Sequence, residues 1–212
     1  MLYIYSIFTF LFFLFLLKFI SQKVSLIDKP NHRKKHIGEI PLIGGLVIYL
    51  NIFLFSFFID ISIHMYTILL TSIILVLLGA LDDAIEIGVI FRLITQLICC
   101  LIVIGSGLVI NNIGDYMYLP NIEIGILSIV FTVFCVIGLT NSFNFIDGVD
   151  GLCSSLALVA VLSVLLISNL NNTILFFFDY NFLLLLSLSI FIFIIFNLSQ
   201  SFKIFLGDSG SM

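Results

Sequence analysis

Five carboxylates at three places hold the chemistry of this chain: Asp82 and Asp83 in LGALDDAIEI, Asp147 and Asp150 in NSFNFIDGVDG, and Asp208 in GDSGS. Each place lies at the end of a long apolar run, and an even number of membrane-length runs separates each from the next. An even number of crossings returns a chain to the side it left, so all five acids are expected on one face. Neighbouring helical residues point about 100° apart, so Asp82 and Asp83 are poorly placed to chelate one ion together. Separate tasks suit them better: one touches a metal, the other accepts a proton or orients a substrate group. Asn141 with Asn144, and Asp147 with Asp150, are i,i+3 pairs that share a face where the chain is helical. Gly148 and Gly151 permit tight turns or a close ligand. The twelve-residue pattern of a calcium loop is absent. GDSGS matches the nucleophile segment of trypsin-like proteases in letters only, because no β-barrel supplies a His and an Asp to partner the serine.

A basic segment, DKPNHRKKH, precedes PLIGG, and Pro30 and the glycines prevent one continuous helix there. Charge alone allows a topological anchor beside anionic lipid. It equally suits a phosphate-binding loop, in which Arg33 offers a planar fork and the lysines act as point charges. Hard carboxylate and amide oxygens, basic residues and no Cys/His cage point to Mg²⁺, or Mn²⁺, shared with phosphates. Mutually repelling acids on one face gain from a divalent ion. The residues thus indicate phosphoryl-type chemistry at a membrane surface.

The elements that must position these residues are helices in a bilayer. The chain of 212 residues is 62% hydrophobic and 9% charged, whereas a soluble domain carries roughly 25% charged residues. Seven runs reach the length of about 17 to 20 residues that crossing requires: 2–20, 42–59, 65–81, 89–110, 124–140, 152–170 and 182–198. Their continuous apolarity excludes barrel strands. The fold class expected is therefore all-α, a polytopic helical bundle of about seven transmembrane helices with the lipid bilayer as its surroundings and no nucleic acid partner. All eight Lys and Arg residues fall on the same side of this arrangement. That side is cytoplasmic by the positive-inside rule, which puts the N-terminus outside, the C-terminus in the cytoplasm and the acids at the cytoplasmic face. The first run has no preceding positive charge and no cleavage site, so it reads as a retained span. Cys99, Cys100, Cys135 and Cys153 lack metal-ligand spacing and read as small membrane-facing or packing residues.

Taken together, DKPNHRKKHIGEIPLIGG, GALDDAIEI, NSFNFIDGVDGL and FLGDSGS closely resemble the polyprenyl-phosphate N-acetylhexosamine-1-phosphate transferases, glycosyltransferases of the family 4 type. Motif order, spacing and span count match through nearly the whole chain, and the basic loop ending in PLIGG favours the bacterial undecaprenyl-phosphate N-acetylglucosaminyl branch. The resemblance implies transfer of N-acetylglucosamine 1-phosphate, or a related sugar 1-phosphate, from a UDP-sugar to undecaprenyl phosphate. UMP leaves, and envelope polysaccharide synthesis begins at the bacterial inner membrane. By motif, Asn144 and Asp208 would ligate the metal, and Asp82 or Asp83 would deprotonate or position the lipid phosphate. Asp147 and Asp150 would organise metal and nucleotide sugar, while Lys29, Asn31, Arg33, His36 and Asn141 would bind phosphates or substrate. Family members continue past GD-x-GS through further spans and a His-rich cytoplasmic loop. The resemblance therefore implies that 1–212 is a single transferase domain truncated at its C-terminus. Two other readings are a non-catalytic remnant of this family and a cation transporter. The second fits less well, because the acids lie at span ends rather than at midplane.

Overall fold

The computed structural model describes residues 1–30, 38–114, 122–171 and 177–212, with the side chains of 170, 171, 177 and 178 left aside. Each of the seven apolar runs contains a helix: α1 (Leu2–Ser21), α2 (Gly44–Phe55), α3 (Ile63–Ile85), α4 (Val89–Gly105), α5 (Ser128–Ile146), α6 (Leu152–Asn171) and α7 (Phe177–Leu198). A four-residue helix, α8 (Asp208–Ser211), follows. A helix satisfies its backbone polar groups internally, which hydrocarbon surroundings demand. Against an expectation of about seven crossings, five helices among the described residues are long and apolar enough to cross a membrane: α1, α3, α5 with the 3₁₀ turn before it, α6 and α7. Helices α2 and α4 are shorter, because α2 starts only after the extended PLI segment and α4 ends at a turn around Gly107, φ 99°.

The helices alternate in direction. At one pole, the start of α1 meets the start of α7 through Tyr3 and Asn181, 2.9 Å apart. There too the N-cap of α3, Ser62, donates its N–H to Asp179 of α7 at 3.0 Å. At the opposite pole, Lys18 near the end of α1 lies over the Phe202 ring. The same pole holds the starts of α2 and α4 and the ends of α3, α5 and α7. The three carboxylate places of the sequence are therefore gathered at one end of the bundle.

A small β arrangement builds that end. Strands β1 (Ile27–Asp28) and β2 (Ile40–Pro41) pair antiparallel, with Ile27 opposite Pro41 and Asp28 opposite Ile40. The chain after α7 then joins them, with Leu42 and Phe205 forming a parallel bridge. Phe205 donates to the Pro41 carbonyl, and the N–H groups of Gly44 and Gly45 reach the Phe205 and Leu206 carbonyls, each at 2.9 Å. Beneath lies a core of Phe10, Leu14, Ile43, Val47, Ile192, Phe193, Ile204 and Leu206, with Cys153 beside them. Cys99, Cys100 and Cys153 are buried and unpaired, as packing residues would be. A second cluster of Ile52, Leu69, Leu165, Phe182 and Leu183 fills the other end. Between them Asn51 is fully buried. Its amide nitrogen donates to Ser6 and Ser189, each at 2.9 Å, and its oxygen accepts from Thr9 at 2.7 Å. These bonds tie α1, α2 and α7, a satisfied polar link in an apolar bundle.

Candidate active site

Asp208 reaches its position because two glycines clear the way. A Cβ on Gly45 of α2 would strike the Ser209–Gly210 backbone, and one on Gly79 of α3 would strike the Asp208–Ser209 backbone. Gly207 has φ 74°, a conformation that favours glycine, and a Cβ there would stand 2.6 Å from the Asp83 carboxylate. So docked, Asp208 donates its backbone N–H to Asp83 at 3.0 Å. Its side chain accepts from the Asn144 amide at 2.8 Å, while the same nitrogen reaches Ser211 at 3.0 Å.

The neighbouring acids differ in what they hold. Asp82 is buried, and both its oxygens are engaged: one accepts from the Ile87 N–H at 2.5 Å, the other from the Arg92 guanidinium at 2.7 Å. Its backbone carbonyl accepts from Glu86, whose φ of 52° ends α3. Asp82 therefore fastens the α3–α4 turn, while Asp83 faces α8. The two acids thus have different partners. Asp150 is paired with Lys203, which also lies over the Phe205 ring. Gly151, φ 72°, donates to the buried Asn197 at 2.6 Å, and Asn197 donates to the Ile204 carbonyl at 2.8 Å. Asp147, just past the end of α5, has no hydrogen-bond partner for its carboxylate among the described residues.

These groups line an open cleft of about 1170 Å³. Asp82, Asp83, Asn144, Asp147, Asp150 and Asp208 all contribute to its wall, together with Glu86, Arg92 and Lys203. Acids outnumber bases, and the electrostatics follow. Burial pushes the Asp147 carboxyl up to about 7, helped by the charges of Asp208, Asp83 and Asp150. Asp208 is also raised, first by burial and then by its neighbour Asp82, against the opposing effects of Asn144 and Arg92.

Other expected site residues lie elsewhere. Asn141 donates to the buried Gln96 at 2.9 Å and to the Ile137 carbonyl at 2.8 Å, one turn away from the cleft wall. Lys29 is exposed and pairs with Glu39 at 3.3 Å. Asn31, Arg33 and His36 fall outside the described residues. Three residues that sequence reasoning left out of the site belong to its framework: Arg92, Asn197 and Gly79. Gly79 had a signal, since it stands i,i+3 and i,i+4 from Asp82 and Asp83 and so shares their helix face.

No three His, Cys, Asp or Glu side chains among the described residues form a ready metal cage. The donors nevertheless suit a hard cation. Hard oxygens converge, the Asp147 and Asp208 carboxyls are raised by burial and then by neighbouring acids, and Asn144 beside Asp208 has an amide oxygen to offer. Asp208, Asn144 and Asp147 are the residues that would hold it.

An all-helical protein with membrane-length apolar helices and a carboxylate-lined cleft at one pole has the form of a membrane protein. The Glycosyl transferase family 4 profile matches residues 65–212, and the chain belongs to that family. It is similar to the undecaprenyl-phosphate alpha-N-acetylglucosaminyl 1-phosphate transferase of Salmonella typhi, 33% identical over 134 residues, 62% of this chain and 36% of that protein. The same enzyme of Escherichia coli K12 is 34% identical over 133 residues, again 62% of this chain and 36% of that protein. That of Pasteurella multocida is 32% identical over 115 residues, 53% of this chain and 32% of that protein. The chain thus spans about a third of the length of the curated relatives it matches.

Proposed function

We propose that this chain carries the catalytic face of a sugar-1-phosphate transferase. Its reaction joins N-acetylglucosamine 1-phosphate from UDP-N-acetylglucosamine to undecaprenyl phosphate, the step that starts an envelope polysaccharide. The observation that carries the reading is the meeting of Asp83, Asn144, Asp147 and Asp208 in one cleft at the pole of an apolar bundle. Family membership and the activity for which the relatives are named support it. So does an apolar groove of about 450 Å³ beside the cleft, which shares Ser154 and Leu206 with the cleft wall and offers hydrocarbon surroundings to a lipid acceptor.

In this reaction an oxygen of the lipid phosphate bonds to the sugar-linked phosphorus. The bridging bond to the other phosphorus breaks, and its electron pair leaves with UMP. Asp83 is the residue of its pair that meets the lipid phosphate, because both oxygens of Asp82 are already engaged. Asp208, Asn144 and Asp147 would hold Mg²⁺, or Mn²⁺, which would supply charge neutralisation for the diphosphate and the departing UMP. Lys203 fixes Asp150 at the rim. The cleft faces the cytoplasm, with seven helices crossing the inner membrane.

The test is UMP release by the purified chain in nanodiscs, with UDP-N-acetylglucosamine, undecaprenyl phosphate and Mg²⁺. Release should depend on all three and fall by roughly 10²-fold or more in Asp208→Asn, the scale of losing one charge-stabilising group. No release from the wild-type chain, or equal release from the variant, overturns the reading.

A further inference from the structure

Arg92 is the only charged residue of α4 and sits in its first turn. A cation there opposes the helix dipole. Its compensation is incomplete. Both ion pairs of the side chain use the same nitrogen, Nη1, at 2.7 Å from Asp82 and 3.5 Å from Asp208. A guanidinium carries five N–H donors in a rigid fork, and here Nη2 and Nε have no partner among the described residues. The side chain is only 22% exposed and lines the cleft, so its donors are held at the site rather than dispersed in water. Lys203, the other described basic residue in the cleft wall, already has its carboxylate in Asp150.

We propose that Arg92 is a phosphate grip of the cleft: Asp82 anchors one amino group, and the unused edge of the fork takes two oxygens of a bound phosphate. The inference rests on the phosphate chemistry of the proposed transferase but assigns it to a residue outside the acidic motifs. Two sources supply such oxygens, the diphosphate of a nucleotide and the monophosphate of a lipid. Arg92 stands beside Asp208 at the α3–α4 turn, within reach of whichever phosphate approaches that acid.

The experiment is isothermal titration of the full chain in nanodiscs at fixed Mg²⁺, with UDP in one arm and farnesyl phosphate in the other. Wild type, Arg92→Gln, Arg92→Lys and Lys23→Gln are compared; Lys23 is a cation remote from the cleft, packed over Phe19. Both Arg92 variants should bind at least one probe about tenfold or more weakly, the scale of a charge-assisted pair, while Lys23→Gln stays within about twofold. Loss confined to UDP assigns the grip to the nucleotide diphosphate, and loss confined to farnesyl phosphate assigns it to the lipid. Loss of both assigns it to a position shared by the two. If Arg92→Gln does not fold, Arg92→Lys decides, because it keeps the charge facing Asp82 and removes only the fork. Wild-type binding by Arg92→Lys, an equal loss in Lys23→Gln, or no binding of either probe by wild type overturns the proposal. Phosphate binding that depends on Arg92 without any UMP release overturns the transferase and leaves the grip standing. UMP release with binding indifferent to Arg92 does the reverse.

Discussion

An aspartate with both oxygens engaged serves differently from one whose carboxylate faces open space, and Asp82 and Asp147 illustrate the two cases. Asp82→Asn retains at most part of the hold on Ile87 and Arg92 and leaves a half-buried guanidinium short of its partner. The expected cost is roughly 1–3 kcal/mol of stability, read as a lower melting temperature in detergent; an unchanged melt would show that the turn does not depend on this pair. Asp147 behaves oppositely. Its carboxyl is raised from 3.8 to about 7, first by burial and then by Asp208, Asp83 and Asp150. The folded chain therefore holds that proton more tightly than the unfolded chain does. Its contribution to stability is present at low pH and is lost as pH climbs from about 4 to about 7, beyond which it is level. A cation needs the ionised form and competes with the proton. The rise in melting temperature on adding Mg²⁺ should accordingly be larger at about pH 8 than at about pH 6, and Asp147→Asn should flatten that difference. A larger rise at the lower pH would contradict the assignment of Asp147 to the cation site.

At the scale of elements, the site depends on how closely α8 approaches α2 and α3. Gly45 and Gly79 let its backbone lie against theirs, and the β-bridge at Leu42 and Phe205 sets the height. Gly79→Ala forces an added methyl into the Asp208–Ser209 peptide, an overpacking expected to cost roughly 1–3 kcal/mol. Relief comes by undocking α8, which carries Asp208 away from Asn144 and Asp83. Ser209 is buried, so a Ser209→Cys thiol should be alkylated much faster in the Gly79→Ala background; an unchanged rate would mean that the clamp yields elsewhere. Much of this level was legible in the chain itself. The apolar runs all contain helices, and the DD, NSFNFIDGVDG and GDSGS segments meet where parity of crossings puts them. What stayed hidden is contact across the fold. Gly79 opens the GALDDAIEI segment and shares a helix face with its acids, but the α8 backbone it admits lies more than 120 residues further on, and Arg92 read only as a topological charge. Asn197 lies in apolar helix sequence, so its tie from Gly151 to Ile204 depends on a partner 46 residues away. Asn141 was the converse case, a polar residue at motif spacing that one helical turn directs to Gln96 instead of the cleft.

For the whole molecule, the question is whether the two short helices cross. Most exposed large side chains are apolar, as lipid contact requires, among them Ile126, Phe134 and Phe145 at 98%, 75% and 88%. Helix α4 is 17 residues, roughly 26 Å at 1.5 Å per residue, just short of a hydrocarbon core of about 30 Å. Yet α4 starts at the cleft with Arg92, and α5 returns to the cleft with Asn144. The link between them is tied at the far pole by the Ile110 N–H to Thr132, 3.0 Å, and by the Asn112–Glu123 bridge. From this alternation we expect α4 to reach the opposite surface. Residues Asp60 and Ser201, both exposed, then lie on opposite sides, separated by α3, α4, α5, α6 and α7. Were α4 to turn back within the membrane, only four crossings would separate them and they would share a side. Single cysteines at these two positions, in a chain whose four native cysteines are replaced, distinguish the cases. With a membrane-impermeant thiol reagent, Asp60→Cys should label from outside intact cells and Ser201→Cys only in inverted vesicles. Labelling of both from one side would remove α4 from the set of crossing helices, and labelling of Ser201→Cys in intact cells would turn the cleft away from the cytoplasm.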